Sequence, residues 1–254
     1  MIVEKLSASK VDTFYSCKRL FKYQYVKPPF PPPRKRVFVI GNIAHKALEL
    51  LHKTLIEPGT HSCKDVMSKA FKSAAKQYSV EAKALGMKKP DVLEIKSMLQ
   101  AYLDELVQDN LPDVLHIEKY FKIKLDNIVI AGKADRVDRL GDALKVVDYK
   151  TSQTPLTTEE AFESVQLPTY ALWLKHGEKF GGRIIGEYVY LRHLGTKRAR
   201  KTFTITKEHV ADAVEKYHKV RWELDHNCKF IRNTRFKWCK YCEYRDFCMG
   251  GKDD

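Results

Sequence analysis

Between Pro112 and Thr151 the chain is built from three runs of β-forming residues, His116 to Leu125, Ile128 to Leu140 and Ala143 to Thr151. Only Asp126-Asn127 and Gly141-Asp142 separate them. Two-residue connections of this kind join strands that run antiparallel, so the segment is expected to form a three-stranded meander. Side chains on one face of a strand recur at every second residue, and residues equally placed about a turn come opposite one another. Asp135 and Asp148 are so placed about Gly141-Asp142, and Lys150 shares the face of Asp148.

Two convergent carboxylates suit a hard divalent cation. Mg²⁺ and Mn²⁺ prefer oxygen ligands, and a site of two aspartates completed by a phosphate oxygen and water can hydrolyse a phosphodiester. A lysine two residues beyond the second aspartate can orient or help deprotonate the water and offset charge on a phosphorane-like transition state. Asp-x-Lys alone is common by chance, so the rest of the chain must support the idea.

Around the meander the patterning turns helical. Ser7 and Ser9 are caps for a first helix carrying Val11, Phe14, Tyr15 and Cys17. Pro28 to Pro33 and Arg34-Lys35-Arg36 read as an extended basic connection, with helix resuming near Gly41. From Asn42 to Leu55, Ala44, Ala47, Leu48, Leu51 and Leu55 form an apolar stripe, with His45, Glu49 and His52 expected on the opposite face. Residues 62–109 suggest two amphipathic helices broken between Gly86 and Pro90. After the meander come a helix from Glu159 to His176, strands near Arg183 to Arg192 and Lys201 to Thr206, and a helix from Lys207 to Asp225. The expected class is α/β, a single unit divided into N-terminal helices (1–56), a helical insertion (57–112), a core (113–206) and a C-terminal helix and tail (207–254).

The 46 Lys and Arg against 32 Asp and Glu leave a formal charge of +14, which points to a polyanionic partner. The pairs Lys229-Phe230, Arg235-Phe236 and Lys237-Trp238 interleave bases with aromatics, favouring nucleic acid, single strands especially. No phosphate-cradling loop or dinucleotide fingerprint accompanies them. Charged Glu4 and Lys5, without an apolar run behind them, suggest a cytoplasmic protein with no membrane association.

Six cysteines in such a chain argue for metal binding over a disulfide framework. Cys239, Cys242 and Cys248 are spaced so that one loop could wrap a metal centre, with a fourth ligand supplied from elsewhere. Thiolate ligation alone leaves structural zinc and an iron-sulfur cluster both open. Cys63 and Cys228 have no spaced partner and are assigned no role.

Four ordered blocks carry a family resemblance. Gly41-Asn42-Ile43-Ala44-His45-Lys46-Ala47-Leu48-Glu49, Gly132-Lys133-Ala134-Asp135-Arg136-Val137-Asp138, Val146-Val147-Asp148-Tyr149-Lys150-Thr151-Ser152 and Gln166-Leu167-Pro168-Thr169-Tyr170 together resemble the RecB-like branch of the PD-(D/E)XK nucleases. Ala134 replaces the eponymous proline, and Asp148 stands where many members have glutamate. The resemblance implies a restriction-endonuclease-like core, a mixed sheet flanked by helices. It also implies a Mg²⁺ or Mn²⁺ site ligated by His45, Asp135, Asp148 and the carbonyl of Tyr149, with Lys150 catalytic beside both aspartates and Gln166 and Tyr170 lining the DNA. In iron-sulfur members one cysteine precedes the core and three follow it, which implies a 4Fe-4S cluster on Cys17, Cys239, Cys242 and Cys248. The activity implied is exonucleolytic cleavage of DNA, single-stranded or with free ends, in recombination, repair or CRISPR adaptation, beside a helicase, recombinase or integrase-type partner. The competing reading is a non-catalytic DNA-binding or adaptor subunit stabilised by a cluster or by zinc.

Overall fold

The computed structural model describes residues 3–31, 35–59, 62–108, 111–235 and 239–250. Pro32, Pro33 and Arg34 of the expected extended connection, Asp109, and Phe236, Lys237 and Trp238 of the aromatic-basic tail lie outside the described residues.

The meander forms as β2 (Asp113–Leu125), β3 (Ile128–Leu140) and β4 (Ala143–Lys150), paired antiparallel. Its turns need left-handed backbone, which Asp126 (φ 50°) and Gly141 (φ 60°) supply. A parallel crossover then places β5 (Ile184–Tyr190) beside β4, and β6 (Arg200–Thr204) returns antiparallel to β5. A two-residue strand that the sequence pattern does not signal, β1 (Lys5–Leu6), pairs parallel with Val129 and Ile130 of β3. One edge of β3 is therefore occupied by β2 and the other is divided, β1 at its start and β4 at its end. Asp135 lies in the interval between them.

Helices cover both faces. One layer comprises α1 (Ala8–Ser16), α2 (Lys18–Phe21, continued as a π turn through Val26), α7 (Thr158–Glu163), α8 (Gln166–His176) and α9 (Lys207–Asp225). The other comprises α3 (Arg36–Leu55), α4 (Cys63–Gln77), α5 (Ser79–Ala84) and α6 (Lys89–Gln108). The central strands alternate between the two cores. Val146, Tyr188 and Tyr190 join the cluster of Phe14, Leu172 and Tyr217, while Val147, Tyr149, Val189 and Leu191 join that of Ala47, Leu51 and Leu99. Strands buried on both faces read as apolar runs for this reason. The C-terminal residues form a 3₁₀ turn at Cys239–Tyr241 and α10 (Arg245–Met249).

Three expectations need correction. The helix foreseen from Glu159 to His176 is broken at Ser164 and Val165, with Thr157 and Glu160 closing a capping box on its first part. The break frees α8 to start at Gln166, beside β4. α3 begins at Arg36, one turn before the glycine. His52 is buried, not on a solvated face, because α6 covers the side of α3 that its charge pattern left open.

Candidate active site

The pairing of β3 with β4 ends at Arg136 opposite Val147, so Asp135 and Asp148 would be the next pair. There the strands part. Asp135 Oδ2 accepts from the Tyr149 backbone N–H at 2.8 Å in place of a regular ladder bond. Two glycines permit the close approaches that build the site. A Cβ on Gly41 would stand 3.0 Å from Thr151 Oγ1, so glycine lets α3 pass over the end of β4 and bring His45 Nδ1 to 3.5 Å from Asp135 Oδ2. A Cβ on Gly132 would fall 2.6 Å from the ring of Phe121 across the ladder, a ring that itself stacks on Trp173.

Asp148 is buried at 2% exposure, and three side chains hold it. Gln166 Nε2 donates to Oδ1 at 2.6 Å, Tyr170 donates to the same oxygen at 3.3 Å, and Lys150 Nζ stands 2.7 Å from Oδ2. The buried Oδ2 thus has the Lys150 ammonium as its charge partner. Gln166 Oε1 accepts from Lys150 Nζ at 2.6 Å, so one amide fixes both ends of the Asp148–Lys150 pair. Burial pushes Asp148 above the usual carboxylate range, with Lys150 opposing. Burial also disfavours the Lys150 ammonium, but Asp148 outweighs it and the lysine stays charged. For His45 burial is likewise the largest influence, overcome by the hydrogen bond and charge of Asp135 and by Asp148 and Glu118, which raise its pKa.

Tyr170 is 5% exposed with its hydroxyl turned to Asp148 and Gln166, where it braces a carboxylate. The three-residue group of possible metal-ligating atoms also differs from the expected one. His45, Glu118 and Asp135 place their ligand atoms within 4.8 Å of one another, and Asp148 is not part of that group. Glu118 was not singled out by motif. A two-residue turn at Asp126-Asn127 nevertheless places it opposite Asp135 by counting back along the hairpin, which is a usable signal.

Behind the site lies a buried polar network. Arg136 Nη1 donates to His52 Nε2 at 2.8 Å and to the hydroxyl of Tyr149 at 2.6 Å, and also reaches the hydroxyl of Tyr102 on α6. Its Nη2 donates to Asp138 Oδ2 at 2.9 Å. Burial and the guanidinium hold His52 well below its ordinary pKa, so it accepts as a neutral imidazole. A second unforeseen group is Asp12 on α1. Burial pushes its carboxyl up to about 6 against the opposing Val165 N–H, Lys150, Lys216 and the Ser164 hydroxyl. It shares with Tyr15, Lys150, Ser152, Gln166 and Tyr190 one recess beside the site.

Cys17, Cys239, Cys242 and Cys248 line one pocket, none of them in a disulfide. Cys17 occupies the junction of α1 and α2, and its Sγ accepts from the Asn233 backbone N–H at 3.4 Å. Tyr23, Phe30, Tyr244 and Phe247 pack together beside the pocket. Among the described residues no helix is long and apolar enough to cross a membrane.

Residues 5–249 match the family model of the PD-(D/E)XK nuclease superfamily. Among solved structures, a protein from Eubacterium rectale named as a candidate exonuclease is similar to this chain, with a TM-score of 0.59 at 8% identity over 94% of this chain and 88% of that one. At that identity the likeness concerns the fold. SSO0001 aligns at a TM-score of 0.34 and 17% identity over 83% of this chain and 84% of that one, too low to add to it. No curated protein matches.

Proposed function

Because the chain belongs to the PD-(D/E)XK nuclease superfamily, we propose that it hydrolyses DNA from free ends, single strands in preference, with Mg²⁺ or Mn²⁺. The observation that carries this is the parting of β3 and β4 at Asp135 and Asp148, with Lys150 held against Asp148 by Gln166.

The residues present fit a divalent ion. His45, Asp135 and Glu118 bring an imidazole nitrogen and two carboxylates to within 4.8 Å of one another, a donor set that suits a hard divalent cation. His45, Asp135, Asp148 and the Tyr149 carbonyl are the assigned ligands. The bound ion would polarise the scissile phosphate and lower the pKa of its water. Lys150, paired with Asp148 and fixed by Gln166, would orient the phosphate and counter the charge that grows on its oxygens. Gln166 and Tyr170 position Asp148 and Lys150.

Recesses open on both sides of the site, and the exposed rings of Tyr15 and Phe38 border them at 43% and 57% exposure. Unpaired bases stack on such rings while the net charge of +14 draws the backbone. This supports single strands as the substrate. End-labelled linear and circular DNA, single-stranded and duplex, are to be incubated with the purified full-length protein and Mn²⁺. Release of short products from linear single strands is expected. Uncut DNA in every arm refutes the nuclease reading, and equal cleavage of circles refutes the requirement for ends.

We further infer that Cys17, Cys239, Cys242 and Cys248 hold a 4Fe-4S cluster. The four cysteines line one pocket and none is in a disulfide, which leaves their thiolates available to one shared centre. Iron and labile sulfide in the purified protein, with broad visible absorption, are expected; stoichiometric zinc in colourless protein overturns the assignment.

A further inference from the structure

We propose that Glu118 is a ligand of the divalent-metal centre, completing with His45 and Asp135 a three-sided cage built from β2, α3 and β3. This rests on the reading of the chain as a metal-dependent nuclease and adds to it a carboxylate that none of the four sequence blocks contains.

The placement follows from register. Ile117 faces Arg136 and Lys119 faces Ala134, so Glu118 stands directly across from Asp135, yet that one pair drops out of the ladder. At this point the backbone of Glu118 turns to φ 49°, left-handed backbone that a glutamate rarely adopts and that nothing in a plain hairpin requires. The turn brings its carboxylate to within 4.8 Å of the ligand atoms of both His45 and Asp135. The three side chains share a recess with Asn42, Lys133 and Thr151, so ions can reach them from solvent. Two carboxylates and an imidazole in a partly buried pocket are a donor set that Mn²⁺ accepts readily and Mg²⁺ tolerates.

The ion pair of Glu118 with Lys133 does not by itself account for this geometry. The Glu118 side chain is 10% exposed and that of Lys133 is 55% exposed, so the lysine reaches inward from solvent to a carboxylate already committed to the cage. A glutamate present only for Lys133 could stay in regular pleat and meet it at the surface.

The test is Mn²⁺ binding to the full-length protein, followed by loss of the free-ion electron paramagnetic resonance signal. Two variants are needed, Glu118→Gln, which keeps shape, and Glu118→Gly, which removes the carboxylate while relieving the left-handed backbone. Both are expected to weaken Mn²⁺ binding by about tenfold or more. Glu118→Gly is also expected to melt no lower than the parent, an outcome that a purely structural role for the side chain does not give. Wild-type Mn²⁺ affinity in both variants overturns the proposal. The outcomes separate from those of the nuclease reading: parent protein that cleaves DNA with unaltered Mn²⁺ binding in the variants defeats only this inference. Parent protein that cleaves nothing, while the variants still lose Mn²⁺, defeats only the nuclease reading.

Discussion

Asp12 makes a quantitative forecast. Burial between α1 and the start of α8 raises its carboxyl to about 6, against roughly 4 for the same group in an unfolded chain. A group whose pKa is higher folded than unfolded supports the fold while it is protonated, and that support disappears as pH rises through the folded value. Two pH units at about 1.4 kcal/mol each come to about 3 kcal/mol against the native state once both forms are ionised. Asp12→Asn keeps an acceptor for the Val165 N–H and removes the charge. Its unfolding free energy relative to the parent should therefore rise by about 2 kcal/mol between about pH 4.5 and pH 7.5, most of it before pH 6.5. In a chain of this length that is a relative Tm gain of roughly 4–8 °C. Urea titrations of both proteins across the range measure it, and the other titrating groups cancel in the subtraction. A difference that stays flat with pH, or that moves in favour of the parent as pH rises, refutes the account of Asp12.

Asp148→Ala and Lys150→Ala should each abolish cleavage while DNA retention in a filter or mobility assay falls less than about threefold, because backbone charge contacts supply most non-specific affinity. Arg136→Leu strands Asp138 in the core, so thermal melting should show a loss of about 3–5 kcal/mol, whereas Lys119→Leu at the solvent side of β2 should stay within about 0.5 kcal/mol. Cys239→Ser should remove the visible absorption of the purified protein and lower its Tm before any effect on the metal affinity of the Asp135 centre. Gln166→Leu, which releases both Asp148 and Lys150, should lower kcat by more than it raises KM for single-stranded DNA.

The sequence made the meander legible because period-2 runs and two-residue turns are local signals. Asp135, Asp148 and Lys150 became legible with them, since their relation is fixed by the same turn. The partners of His52 and Tyr170 were not legible for a shared reason: a polar atom on a side chain says nothing about whether a neighbouring layer supplies a partner. His52 finds Arg136 and Tyr102, and Tyr170 finds Asp148, only after α6 and α8 have docked. The strand β1 was invisible because two residues carry no period, and its partner lies more than a hundred positions away. Glu118 could have been found by counting pairs about Asp126-Asn127, but only the fold shows its backbone turned left-handed.

The order in which the parts occur along the chain sets a timetable. The three hairpin-linked strands are neighbours in sequence and can pair as soon as Lys150 has left the ribosome, since local contacts close quickly. The pocket that Cys17 lines is completed only when Cys248 emerges, 98 residues after Lys150, an interval of roughly 5–20 s at ordinary rates of synthesis. During that time α1, the helix that carries Asp12 beside the site and Cys17 at its end, lacks its partners in α9 and the tail. The nascent chain thus holds the strands that carry Asp135 and Asp148 before it can seat the helix that borders them, and a ribosome stalled short of the last cysteines releases a chain with its cleft half built.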